Sequence, residues 1–309
     1  MIYVSLEGRC GNQLFAYAFA RRLQIEYNDE ITMIYQMEKK SDPTFANVLN
    51  EFCTVPFNVV NYQKNIIKRY GNLVQKTVFI LYEFICKLPV KERVNFYERQ
   101  TKCQNILNKE GIYWLIRGYS KPRLTRYKNK FIQGCFEDKR YFDDIKNLLR
   151  KELRPTYPIE GKNIELYNII KNTESVCVSI RRGDFLQEEN KGLRDICSYE
   201  YYLQGIELIK QRIKNPVFII FSDDIQWIKY NYSFTGNVYY EDGNDRIAEK
   251  MRLMYSCKHF IMSNSTFCWW AQYLSENKDK IVVSPSKWFN LPGYVHSLID
   301  NEWVLINVN

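Results

Sequence analysis

The apolar and polar positions divide the chain into an ordered opening, an uneven middle and a regularly alternating second half. Ile2 to Leu6 is an apolar run of strand length. Glu7-Gly8-Arg9-Cys10-Gly11-Asn12 follows, and then apolar residues at Leu14, Phe15, Ala18, Phe19, Leu23 and Ile25 at helical spacing. The opening is therefore strand, glycine turn and helix. Between Asn61 and Lys130 no strand alternation stands out, and the pattern predicts mostly helix with basic surfaces. Arg154-Pro155-Thr156-Tyr157-Pro158 interrupts this, since proline ends helices and forces its predecessor into an extended conformation. A domain boundary is expected there, dividing the chain into 1–155 and 156–309.

From Ser175 the alternation is regular. Strands are predicted at Val176–Ile180, Val217–Ser222, Val238–Tyr240, His259–Met262 and Ile281–Val283. Helices are predicted at Ser198–Arg212, near Trp227, at Asp245–Ser256 and at Thr266–Glu276. Strands that alternate with helices give an α/β fold, a parallel sheet covered on both faces that binds ligands at the carboxyl ends of its strands. At 309 residues the chain has room for two such domains.

Composition narrows the classes. With 46% hydrophobic and 26% charged residues the chain buries a core, which excludes disorder. Nine scattered cysteines without a Cys-x-x-Cys pair, and no charged-then-apolar leader, predict a reducing, cytoplasmic setting. The two histidines, His259 and His296, are too far apart in sequence for a zinc site or a His-centred triad, so no metal is expected. Thr77 to Cys86, the longest apolar stretch, contains Glu83 and is about half of the roughly 20 residues that cross a bilayer.

The net charge of +9 is regional. Asn61 to Lys130 holds 16 Lys or Arg against 4 Asp or Glu, and the rest of the chain is slightly acidic. Rings such as Tyr70, Phe84 and Trp114 are interleaved with these charges. Such a stretch suits peripheral contact with an anionic membrane, a nucleic acid, or simply a solvated helix face.

Three strand ends carry polar clusters. In Ser179-Ile180-Arg181-Arg182-Gly183-Asp184 two arginines leave an apolar strand, and the planar fork of Arg181 suits phosphate oxygens, with a structural ion pair as the alternative. In Phe221-Ser222-Asp223-Asp224 one carboxylate can accept two N–H bonds from a guanine edge, and either can instead cap the next helix. In Ser263-Asn264-Ser265-Thr266-Phe267-Cys268-Trp269-Trp270 hydroxyls open a helix whose free N–H groups and positive end favour a diphosphate, with simple capping as the alternative. The glycines at Gly8 and Gly11 serve either the close approach of a ligand or packing.

These segments, with Gly8-Arg9-Cys10-Gly11-Asn12-Gln13-Leu14-Phe15, resemble the α-1,2-fucosyltransferase family, glycosyltransferase family 11. That family shows a Gly-x-x-Gly-Asn-Gln-hydrophobic-Phe opening, then His-x-Arg-Arg-Gly-Asp, Phe-Ser-Asp-Asp and Ser-Asn-Ser-Thr-Phe-x-Trp-Trp. All four segments occur here in that order, although Ser179 replaces the usual His. The resemblance implies a GT-B-type fold of two Rossmann-like domains with a cleft between them. The first domain would bind the acceptor, with Gly8, Gly11, Asn12 and Gln13 near the cleft, and the second would bind GDP-fucose. It also implies inverting, metal-independent transfer of L-fucose to the 2-hydroxyl of a terminal β-galactoside on a glycan or lipid-linked oligosaccharide. GDP-fucose is a co-substrate, so no cofactor is expected.

By match of motif, Arg181 would hold the donor diphosphate, Asp223 or Asp224 the guanine, and Ser265 and Thr266 the phosphates. Ser222, Asn264 and Phe267 stand in the same donor-binding segments. No Asp-x-Asp pair is present to hold a metal on the diphosphate, so arginine and helix-end N–H groups would neutralise the leaving group. Candidates for a base are Asp184, Glu188, Glu189 and Glu7, with Asp184 first and a bridge from Asp184 to Arg182 as its structural alternative. Two rivals remain: a fucosyltransferase of α-1,6 or protein O-linked type, and a non-catalytic nucleic-acid-binding protein.

Overall fold

The structure is a computed structural model describing residues 1–35, 47–61 and 65–308. Residues 62–64, at the start of the basic stretch, lie outside the described residues. Two compact units divide the chain, Met1–Leu153 and Arg154–Asn309.

The first unit opens with β1 (Ile2–Leu6), α1 (Cys10–Tyr27), β2 (Ile31–Tyr35) and β3 (Asn58–Asn61). Three helices follow, α2 (Ile66–Tyr70), α3 (Leu73–Lys87) and α4 (Arg93–Lys109), then β4 (Ile112–Leu115), β5 (Lys130–Gly134) and α5 (Lys146–Glu152). The strands form one parallel sheet in the order β3-β2-β1-β5-β4. Helix α1 is buried throughout its apolar run Leu14 to Ala20, whereas Arg21, Arg22, Gln24 and Glu26 make its last turns polar and partly exposed. It stops at Asn28, whose left-handed φ of 50° is a common helix end.

Strand β4 corrects the expectation of a strandless middle. Ile112, Tyr113 and Leu115 are all buried, so the run lacks the alternation that marks a half-exposed strand. Gly111, at φ 69°, ends α4 just before it. Between Ile66 and Lys109 the expected helices are present, and their inner faces join Phe79, Tyr82 and Leu107 to Ile112 and Phe131 of the sheet.

The second unit contains α6 (Ile164–Asn172), β6 (Glu174–Ile180), α7 (Tyr199–Lys210), β7 (Pro216–Ser222), α8 (Ile225–Asn231) and β8 (Asn237–Tyr240). It continues with α9 (Ile247–Ser256), β9 (His259–Ile261), α10 (Thr266–Leu274), β10 (Val282–Pro285) and β11 (Val304–Ile306). Its sheet is also parallel, in the order β11-β10-β9-β6-β7-β8. Val176, Val178, Phe218, Ile220 and Ile261 fill its core, which accounts for the near-continuous apolar runs of β6 and β7. The alternation seen in the sequence is realised with ends shifted by one or two residues, and β11 lies beyond the last strand the pattern named. From β6 the chain moves outward to β7 and β8 and then returns to β9 on the other side. The carboxyl ends of β6 and β9 therefore flank the point where strand order reverses, where open α/β sheets bind ligands.

Candidate active site

Strand register brings the first two polar clusters together. Ile180 of β6 pairs with Ser222 of β7, so Arg181 and Asp223 leave adjacent strands at the same level. Arg181 Nη1 lies 2.9 Å from Asp223 Oδ2, and its Nη2 lies 2.5 Å from Asp184 Oδ1. Arg181 Nε donates to the same Asp184 oxygen at 3.1 Å. Three of the five guanidinium N–H directions face carboxylates, leaving two for a further acceptor. The ring of Phe185 lies 5.7 Å from the guanidinium carbon.

Asp184 reaches Arg181 because the chain turns at Gly183, folding position 184 back onto position 181. This corrects the alternative in which Asp184 bridges to Arg182. Arg182 instead lies 3.4 Å from Asp224 Oδ2, with its guanidinium carbon 3.1 Å from the centre of the Trp227 ring. Asp223 Oδ1 accepts the backbone N–H of Arg182 at 2.9 Å. A Cβ on Gly183 would lie 2.3 Å from Asp223 Oδ2, so this carboxylate needs glycine beside it. The sequence marked Gly183 as part of a motif, but nothing in it signalled the contact with Asp223, and nothing pointed to Trp227.

Neither aspartate caps α8 with its side chain. Ser222, 5% exposed, accepts the Asp224 N–H at 3.1 Å. Asp223 is thus committed to both arginine residues, whereas the half-exposed Asp224 has one long contact to Arg182.

The third cluster lies at the end of β9, which pairs with β6 through Ile261 and Val178. Ser265 precedes α10 in an extended conformation without capping it through its side chain, and the first turn of α10 contains no acidic residue. Ser265, Thr266 and Phe267 are partly exposed. Asn264 is a tie rather than an open donor, since its buried amide nitrogen donates to Arg194 O at 2.9 Å and Trp288 O at 2.8 Å. Trp269 anchors the helix by donating to Leu298 O at 3.1 Å. Ser179, which replaces the family's His, is 8% exposed and in hydrogen-bond reach of the Cys268 thiol. Burial pushes that thiol up to about 12.

The opening motif occupies the corresponding reversal of the first sheet, between β1 and β5. Gly8 adopts φ 72° and leaves a Cβ no room beside Asn12. Gln13, 1% exposed, donates to Gly8 O at 3.1 Å and accepts from Val48 N at 3.3 Å, so it fixes the glycine turn. Gly11 is buried in the first turn of α1, and Asn12 beside it is partly exposed. Glu7, exposed at the end of β1, accepts from Gln133 at 2.7 Å, a partner with no sequence signal. Glu188 and Glu189 are exposed, and Glu188 stands 3.7 Å from Lys191.

Both histidines hold backbone. His259 Nδ1 accepts from Ile281 N at 3.0 Å, and His296 Nδ1 accepts from Leu298 N at 3.2 Å. Among the described residues, Glu241, Asp242 and Asp245 bring carboxylate oxygens within 4.8 Å of one another. Lys250 lies 2.8 Å from Glu241, and Lys162 lies 2.8 Å from Asp245, so this cluster already carries its own cations.

The α-1,2-colitosyltransferase of Escherichia coli is 28% identical over 298 residues, covering 94% of this chain and 92% of the relative. A stretch of 104 residues is 34% identical to human galactoside α-(1,2)-fucosyltransferase 1, covering 32% of this chain and 28% of that protein. Among solved structures, the NodZ α-1,6-fucosyltransferase co-crystallized with GDP, an enzyme from Bradyrhizobium, superposes with a TM-score of 0.54 at 11% identity. That match covers 88% of this chain and 91% of NodZ, and it shows a shared GT-B-type fold of two parallel-sheet α/β domains. The model of glycosyl transferase family 11 matches residues 1–307, and the chain belongs to that family.

Proposed function

We propose that this glycosyltransferase transfers L-fucose from GDP-fucose to the 2-hydroxyl of a terminal β-galactoside, on a glycan or a lipid-linked oligosaccharide, with inversion and without a metal ion. The observation that carries this reading is Arg181, held by Asp184 and Asp223 where the strand order of the second sheet reverses. In the proposal Arg181 and the first turn of α10, with Ser265 and Thr266, take the diphosphate. Asp224, less committed than Asp223, accepts the two N–H groups of the guanine edge. Ser222 holds Asp224 in place through its backbone. The Met1–Leu153 unit takes the acceptor.

The galactose oxygen forms its bond to the anomeric carbon as the bond to GDP breaks on the opposite side. Negative charge develops on the diphosphate, and the positioned donors stabilise it. The hydroxyl proton passes to Asp184, which is released when the diphosphate occupies Arg181.

The colitosyltransferase match supports a second reading of the donor. Colitose is fucose without its 3-hydroxyl, so the same site would take GDP-colitose. Both are tested by incubating the protein with each donor and a panel of β-galactosides in the presence of a chelator. Fucosylated product in chelator supports the first reading, and product from GDP-colitose alone replaces it with the second. Release of GDP without a fucosylated or colitosylated product would overturn both.

A further inference from the structure

Helix α3 is apolar on both sides. Its inner side packs Phe79 and Tyr82, both at most 5% exposed, against Trp114 and the core below. Its outer side carries Leu73, Ile80, Leu81 and Phe84 at 80%, 55%, 58% and 65% exposure, with Val74 and Ile85 beside them. At about 100° per residue these positions form one continuous stripe. Thr77, in the middle of the stripe, spends its hydroxyl on Leu73 O at 2.9 Å. Beyond the helix, Leu88 and Val90 extend the exposed apolar surface, and Arg99 holds that segment by donating to Ile85 O, Leu88 O and Pro89 O.

Lys76 and Lys87 run along one border of the stripe, and residues 66–109 hold nine Lys or Arg against three Asp or Glu. An apolar face of this size edged by cations is a docking surface, since surface helices that face only water are polar there. The charge selects the occupant. A second copy of the chain would bring two such basic surfaces together, whereas an anionic lipid surface neutralises them. The 15 residues of α3 are too few to cross a bilayer, which takes roughly 20, and suit a helix lying in the interface plane.

We propose that the Leu73, Leu81 and Phe84 face of α3, edged by Lys76 and Lys87, docks on an anionic phospholipid surface with the helix in the plane of the interface. This goes beyond the reading of the donor site and holds whichever sugar is transferred. The test is flotation of the full chain with vesicles of phosphatidylcholine alone or mixed with phosphatidylglycerol. The expected result is binding only to the mixed vesicles, weakened by added salt. A Leu81→Ser/Phe84→Ser double variant is expected to partition at least about tenfold less. A Lys76→Glu/Lys87→Glu variant is expected to lose about tenfold or more. The urea midpoint, and transfer to a water-soluble acceptor, stay unchanged in both. Failure of the wild type to float with phosphatidylglycerol overturns the proposal, as does equal binding by the Leu81→Ser/Phe84→Ser variant. A dimer that the same double substitution abolishes in sedimentation would assign the face to a second copy and also overturn it.

Discussion

Arg181 and Asp223 close a 2.9 Å ion pair across the ends of two neighbouring parallel strands, and Asp184 holds the other edge of the same guanidinium. Two carboxylates on one cation leave the cluster with an excess negative charge before any ligand arrives. In the proposed function a diphosphate on Arg181 enters against this excess charge, and repulsion between it and the carboxylates would join donor binding to the release of Asp184.

Arg181→Ala is expected to lower kcat by about 100- to 1000-fold, corresponding to about 2.7–4 kcal/mol of lost transition-state stabilisation. Arg181→Lys keeps the charge without the fork and is expected to recover only part of that loss. Initial rates with GDP-fucose, with the urea midpoint recorded alongside, check this. Near-normal turnover in a folded Arg181→Ala protein would remove the arginine from the chemistry.

Gly183→Ala tests the geometry rather than the charge. The added methyl would meet Asp223 Oδ2 at 2.3 Å, so the carboxylate or the turn must shift, and the expected response is a disturbed pair with Arg181. GDP affinity by calorimetry is expected to change, and turnover to fall at least about tenfold, on the scale of a lost charge-assisted hydrogen bond. Unaltered kinetics would show that the Arg181 and Asp223 pair is dispensable.

Asp224→Asn and Asp223→Asn are expected to separate base recognition from organisation of the site. Losing the carboxylate at 224 removes an acceptor of two N–H bonds and is expected to narrow the preference for GDP over ADP by about 10- to 100-fold. The same change at 223 leaves that preference intact and lowers kcat. Competition binding of the two nucleotides decides, and an unchanged preference in Asp224→Asn would move guanine recognition elsewhere.

His259 is expected to make the second unit sensitive to acid. Its Nδ1 accepts a backbone N–H, which requires that nitrogen to be unprotonated, and burial holds the imidazole below its usual 6.5. The unfolded chain takes up a proton as pH falls through 6.5, while the folded chain does so only lower. The stability is therefore complete above pH 6.5 and is lost as pH falls through the depressed folded value. Urea midpoints between about pH 7 and about pH 5 are expected to fall more steeply in the wild type than in His259→Asn. Glu174, held low first by its hydrogen bond from Lys258, loses its contribution only as pH falls below 4.5 through its own depressed value. Parallel pH curves for the two proteins would sink the assignment to His259.

Much of this protein is legible in its sequence, because local order leaves local marks. The long apolar runs of β6 and β7, and the glycine turn before α1, each follow from period and composition within a few residues. Short strands buried on both faces, such as β4, leave no alternation to read. The motifs fixed which residues carry fork, carboxylate and hydroxyl chemistry, since those groups belong to residue type. Tertiary structure decided which of them meet. Strand register, which pairs Ile180 with Ser222, placed Asp223 against both arginine residues. The turn at Gly183 gave Asp184 to Arg181 instead of Arg182, and Asn264 became a backbone tie. Likewise, only packing against the sheet could show which side of α3 faces out, because an apolar residue looks the same in sequence whether it is covered or exposed.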